Sequence, residues 1–171
     1  GYTSDFFKVG EEKYYHDFNI KISRKLNKKW KVDLMYMNLF YNTFINEGHS
    51  EPNILADIFI ADVWWKFKKS QALHFEAQAL FTPEDDGNWA MGMIEYKKKS
   101  FFAAVIDLYN YGNPDPDKQF HYFSVSSGYT HHSTRIALTY GKQRQGILCI
   151  GGVCREVPAS NGFSLNITSS F

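Results

Sequence analysis

Apolar and polar residues alternate along nine separate stretches of this chain, and a period of two can only be used by β-strands, whose successive side chains point to opposite faces. The last stretch shows it most plainly. Phe163, Leu165, Ile167 and Phe171 hold one parity, and Ser164, Asn166, Thr168 and Ser170 hold the other. No segment keeps a helical period over three turns, so the expected fold is all-β, an antiparallel meander of about nine strands in one domain spanning 1–171.

The first strand sets His16, Phe18, Ile20 and Ile22 against Asp17, Asn19, Lys21 and Ser23, and stops at Asn27, Lys28 and Lys29. The second runs from Trp30 to near Phe44, the third is centred on Phe59 to Phe67, and the fourth spans Leu73 to Phe81. The fifth (Trp89 to Tyr96) carries apolar residues on both parities, which leaves its orientation open. The sixth spans Phe101 to Tyr109, the seventh surrounds Phe123 to Tyr129, the eighth begins at Arg135 and reaches about Gly141, and the ninth is Ser160 to Phe171. Residues 1–12 lack a clear period and read as a loop, as does Lys142 to Ala159. Short and long connections alternate. The short ones are basic (Lys28 and Lys29, Lys68 and Lys69, Lys97 to Lys99), whereas three long ones carry acids such as Glu47, Glu84 and Asp115. Tight turns on one side and longer loops on the other are the plan of a bacterial outer-membrane barrel.

Alternation alone does not say which face is outside. A soluble lipocalin-like binding barrel turns its oily face inward, and a membrane barrel turns it toward lipid. Composition helps here: 18% of residues are aromatic, more large rings than the interior of a nine-stranded barrel can hold. Strands of about ten residues suit a bilayer crossing, and the rings near strand ends (Trp30, Trp65, Tyr96, Tyr129, Phe171) lie where an interfacial girdle would. The polar parity carries Lys21, Asp33, Asp62, Lys66, Glu76, Asp107 and Arg135, which are expected to face a wet or plugged lumen. Facing lipid, such charges would cost a few kcal/mol each at mid-membrane.

The closing strand, with Gly162, Leu165, Ile167 and the terminal Phe171, resembles the signal by which outer-membrane barrels are recognised for insertion. That implies outer-membrane lipid and the insertion machinery as partners, and a periplasmic C-terminus. Short turns then lie in the periplasm and long loops outside the cell. An odd strand count does not close with both termini in the periplasm, so the chain is expected to be the C-terminal part of a larger barrel or to be completed by further strands.

Little in the sequence points to catalysis. His131, His132 and Ser133 adjoin in a tight turn, where nucleophile, base and orienter cannot converge. Asp85 and Asp86 with His49 can meet only as loop acids, more often plain solvated surface. These residues lack metal-ligand spacing, no phosphate-binding glycine loop is present, and a net charge of +1 with scattered lysine turns does not suit nucleic acid. No enzyme activity, metal or cofactor is expected. Cys149 and Cys154 flank Gly151 and Gly152 and can either close a small disulfide ring, in keeping with an oxidising envelope, or remain free thiols.

From Tyr140 to Gly162 the residues Tyr140, Gly141, Gln143, Arg144, Gly146, Leu148 and Cys149, then Gly151, Gly152, Val153, Cys154, Arg155, Val157, Pro158, Ala159, Ser160 and Gly162, resemble a signature of outer-membrane barrels of unassigned function in Bacteroidota. The resemblance implies location and fold without an activity. The cysteine loop, with Arg144, Arg155 and Pro158, is the candidate element for contacting a partner or the lumen, against the plainer reading of a structural hairpin. Two functions follow as expectations: a structural or accessory subunit of an outer-membrane complex for assembly, export or uptake, docking other outer-membrane or surface proteins, or a porin-like channel for small solutes. The mixed signs of the polar face argue mildly against an ion-selective pore.

Overall fold

The computed structural model describes the backbone of residues 2–5, 8–44, 53–84, 86–150 and 153–169, and the side chains of residues 13–44, 53–84, 86–145 and 157–169. Strands β1 (Tyr2–Asp5) and β2 (Lys8–Lys13) pair as a hairpin, where the sequence pattern reads as loop. Neither strand alternates cleanly, so no periodic signal marks them. Then come β3 (Tyr15–Lys25), β4 (Trp30–Tyr41), β5 (Ile54–Lys68), β6 (Gln71–Phe81) and β7 (Trp89–Lys98). They are followed by β8 (Phe101–Tyr109), β9 (His121–His131) and β10 (Thr134–Gln143). The expected loop after β10 is in fact a second hairpin, β11 (Gly146–Ile150) and β12 (Val153–Val157), before the last strand, β13 (Ser160–Ser169). One turn of 3-10 helix, Pro116–Lys118, lies between β8 and β9. Among the described residues no helix is long and apolar enough to cross a membrane, which says nothing of strands.

Nine strands make the main sheet, in the order β3-β4-β5-β6-β7-β8-β9-β10-β13, every pair antiparallel. The sheet is not closed, and β3 and β13 are its edges. Because neighbours run in opposite directions, the tight turns at 26–29, 69–70, 99–100 and 132–133 gather at one end. The long connections leave and return at the other.

Register turns the alternation of single strands into two continuous surfaces. Val32, Val63, Phe75, Ile94, Val105, Val125, Tyr140 and Phe163 are successive cross-strand partners from β4 through β13. The neighbouring row, on the opposite face, is Trp64, His74, Glu95, Ala104, Ser126, Thr139 and Ser164. It is the polar row that is buried. Glu95 and Thr139 are each 1% exposed, whereas Phe163 is 77%, Leu165 64% and Ile22 61% exposed. An oily face turned out and a polar face turned in inverts the usual soluble arrangement.

The apolar part of the buried face is small: Met93, Phe102, Ala104, Ile106 and Ala137 pack together in β7, β8 and β10, with Met91 against them. It also settles the orientation of β7, whose Trp89, Met93 and Glu95 are buried while Ile94 is exposed. At the tight-turn end, Trp30 and Trp65 face each other across β4 and β5 and stack with ring centroids 5.3 Å apart, and Phe67 stacks with Tyr96 at 6.3 Å. Half-buried rings thus form a band beside the lysine turns.

Candidate functional site

The densest polar cluster sits on the buried face where β5, β6 and β7 meet. Asp33, Asp62 and Glu76 are direct register partners across β4, β5 and β6. Like charges placed directly opposite repel, so each needs a partner. Lys31 Nζ answers Asp33 at 2.6 Å. His74 Nε2–H donates to Asp62 Oδ2 at 2.5 Å, since a carboxylate can only accept, and the same nitrogen lies 4.0 Å from Glu76 Oε2. Glu76 also accepts from the Gln78 amide.

The imidazole of His74 is held in place. Its ring lies flat on Trp64, centroids 4.0 Å apart and planes 10° from parallel. Its other nitrogen, Nδ1, is 3.9 Å from Glu95 Oε1, which takes Lys97 Nζ at 3.1 Å. That ammonium in turn lies over Trp64, 4.7 Å from its ring. Chemically this is a buried, oriented imidazole among three carboxylates, with Lys97 paired to one of them.

Beside it opens a cavity of about 230 Å³, lined by Glu76, Gln78, Met91, Tyr122, Lys142 and Arg144 among others. Arg144 covers part of this region by stacking its guanidinium on Trp89 at 4.2 Å and reaching Asp86 at 3.5 Å. Lys142 sits over Phe120 at 3.9 Å and Tyr122 at 4.7 Å.

Of the charged residues expected on the polar face, Asp62 and Glu76 meet in this cluster and Asp33 adjoins it. Lys21 pairs with Met35 on the edge strand, and Lys66 lies at the tight-turn end, both on the parity of the buried face. Arg135 is buried, its guanidinium 4.2 Å from the Phe102 ring. Asp107 is a correction. It shares the parity of Phe101 and Val105 on the exposed face, opposite Phe123, and pairs with His121 at 2.8 Å. Both parities of β8 are apolar up to Ile106, so the pattern does not reveal its inner side, and Asp107 tolerates the exposed face because the strand ends two residues later.

His74, Glu95, Trp64 and Lys97 escaped the sequence reading, because only register brings them together. His131 and His132 lie beside the 132–133 turn with their rings 4.1 Å apart. His49, Asp85 and Phe171, and the side chains of Cys149, Cys154 and Arg155, lie outside the described residues; Pro158 is exposed. In β13, Leu165 and Ile167 point to the exposed face. Gly162, at φ +125°, faces Gly141, at φ +135°, a backbone conformation that favours glycine in both strands.

One family matches the chain along its whole length, 1–171: Family of unknown function (DUF6029). The chain belongs to it. No curated protein and no solved structure matches. Membership in DUF6029 carries no activity, so function has to be argued from the two faces of the sheet and the cluster between them.

Proposed function

We propose that this DUF6029 chain is wall of an outer-membrane β-barrel in Bacteroidota, serving as a structural or accessory subunit of a multi-protein outer-membrane complex for assembly, export or uptake. The observation that carries this reading is the continuous apolar row from Val32 to Phe163 on the exposed face, backed by a polar row that is buried. Water would leave that apolar area unsatisfied, and lipid would not. Main-sheet strands of 9–15 residues match a tilted bilayer crossing. The ring band beside the lysine turns suits a headgroup region. A soluble lipocalin-like barrel would need the oily row inside.

Among the described residues β3 and β13 each have a strand neighbour on one side only, and lipid does not satisfy the backbone of a sheet edge. Further strands, from the same polypeptide or a partner, therefore complete the barrel. The subunit reading is favoured over a porin-like channel by the packing of Phe102, Ile106 and Met93 on the buried face and by Arg144 over Trp89, which fill space a channel would leave to water. Cys149 and Cys154 are direct register partners in β11 and β12, which supports a disulfide across the hairpin that the signature identifies.

The deciding experiment is gentle detergent extraction of the full-length protein from its native membrane, followed by mass analysis of what co-purifies and by single-channel recording. A stoichiometric partner and no steady conductance is expected. A steady open pore from the isolated protein would defeat the subunit reading, and recovery in the soluble fraction would defeat the membrane reading.

A further inference from the structure

We infer that the buried face holds a divalent transition-metal site built from Asp62, His74 and Glu76. One ligand atom from each of these residues lies within 4.8 Å of the others, all three on the face turned away from solvent. One imidazole nitrogen with two carboxylate oxygens is a donor set for Zn²⁺ or Mn²⁺, and three protein ligands leave a coordination position open.

Three observations point from the cluster to a cation. The first is charge. Asp62 and Glu76 are two carboxylates, and among the described residues neither forms an ion pair with Lys or Arg, so His74, at most one positive charge, leaves them one short. The second is an orphaned atom: among the described residues, buried Asp62 Oδ1 has no hydrogen-bond partner. A second carboxylate oxygen left bare in this way is what an ion would claim. The third is preorganisation. His74 is nine-tenths buried, clamped flat by Trp64, and has Glu95 beside its Nδ1, the kind of acidic neighbour that fixes a ligating imidazole. Glu76 also lines the 230 Å³ cavity, which gives an ion and its water a way in.

Loading requires small changes. The Nε2 proton now given to Asp62 must leave that nitrogen: a neutral imidazole carries it on Nδ1 instead, beside Glu95 Oε1, with no net release, and only an imidazolium gives up a proton. The 2.5 Å between Nε2 and Oδ2 must widen, and the 4.0 Å to Glu76 must narrow, both within reach of a side-chain torsion.

The test uses the full-length protein in detergent, stripped with chelator and titrated with Zn²⁺ by calorimetry in two buffers of different ionisation enthalpy, then with Co²⁺ by visible absorption. One equivalent is expected, with release of at most one proton and with Co²⁺ ligand-field bands. Glu76→Gln, which keeps shape, and His74→Ala should each weaken binding about tenfold or more. His121→Ala, which removes the exposed-face His–Asp pair, should not change it. Should His74→Ala misfold, Glu76→Gln alone decides. Absence of binding, or binding unchanged in Glu76→Gln or lost equally in His121→Ala, overturns the site.

Discussion

The ring of Phe102 lies against Gly128, its direct register partner across β8 and β9, so closely that a Cβ on Gly128 would come within 2.6 Å of the ring atoms Cε1 and Cζ and would also strike the Ile136 carbonyl. An aromatic ring covering a cross-strand glycine is a recurrent way of shielding the bare backbone. Phe102 cannot swing aside cheaply, because its ring also carries the Arg135 guanidinium and belongs to the small apolar core. Gly128→Ala is therefore expected to destabilise by about 1–3 kcal/mol through overpacking. Denaturant unfolding in detergent, followed by tryptophan fluorescence, measures it.

A charge introduced on the exposed apolar row separates a lipid-facing surface from a wet one. Val105 is mid-strand in β8 and exposed, between Ile94 and Val125. On the membrane reading, Val105→Lys costs about 2–4 kcal/mol in folding into lipid vesicles, and His131→Lys, beside a tight turn, about 0–1. Equal and negligible effects for the two would argue that the row faces water.

Buried hydroxyls on the opposite face give a coupled pair. Ser126 Oγ and Thr139 Oγ1 are 2.8 Å apart and both residues are almost wholly buried. Thr139→Val should cost about 1–3 kcal/mol, because Ser126 keeps only its long 3.5 Å bond to the Leu138 carbonyl at a site closed to water. Ser126→Ala in that background should restore part of the loss, and a double-mutant cycle reads the coupling directly. Additive losses would show that the two hydroxyls act independently.

The nine strands of the main sheet were legible from runs of about ten residues between turns, and most of them carry one oily and one polar parity, whereas β7 and β8 are apolar on both over much of their length. β2, with the sequence Lys-Val-Gly-Glu-Glu-Lys, has no such contrast and was not legible. β11 and β12 left a weaker trace: the apolar run Ile147 to Ile150 and the pair Val153 and Cys154 flank Gly151 and Gly152, a Gly-Gly hairpin signal. The site is hidden for a different reason. Near the turn Lys68 pairs with Gln71, but a bulge between Trp65 and Lys68 shifts the pairing by one residue, which puts Asp62 opposite Glu76 and Trp64 opposite His74. Counted from the turn alone, Asp62 would meet Ala77, a residue of the other face. A single extra residue thus assembles the cluster, and alternation alone does not reveal it.

The cysteine hairpin yields the last prediction. β11 and β12 pair Ile150 with Val153, so that Cys149 and Cys154 come directly opposite one step farther from the bend. With two residues between Ile150 and Val153, those flanking residues are the hydrogen-bonded pair of a tight hairpin and the cysteines fall on the next, non-hydrogen-bonded pair, whose Cα atoms sit about 4.5 Å apart. That spacing falls in the range a disulfide spans. Protein isolated without reductant should therefore resist alkylation at both thiols, and Cys154→Ser should expose one alkylatable thiol at Cys149. Loss of so small a ring should cost only about 2 kcal/mol, so the variant is expected to fold while its hairpin becomes more accessible to protease. Two free thiols in freshly isolated, unreduced protein would refute the pairing.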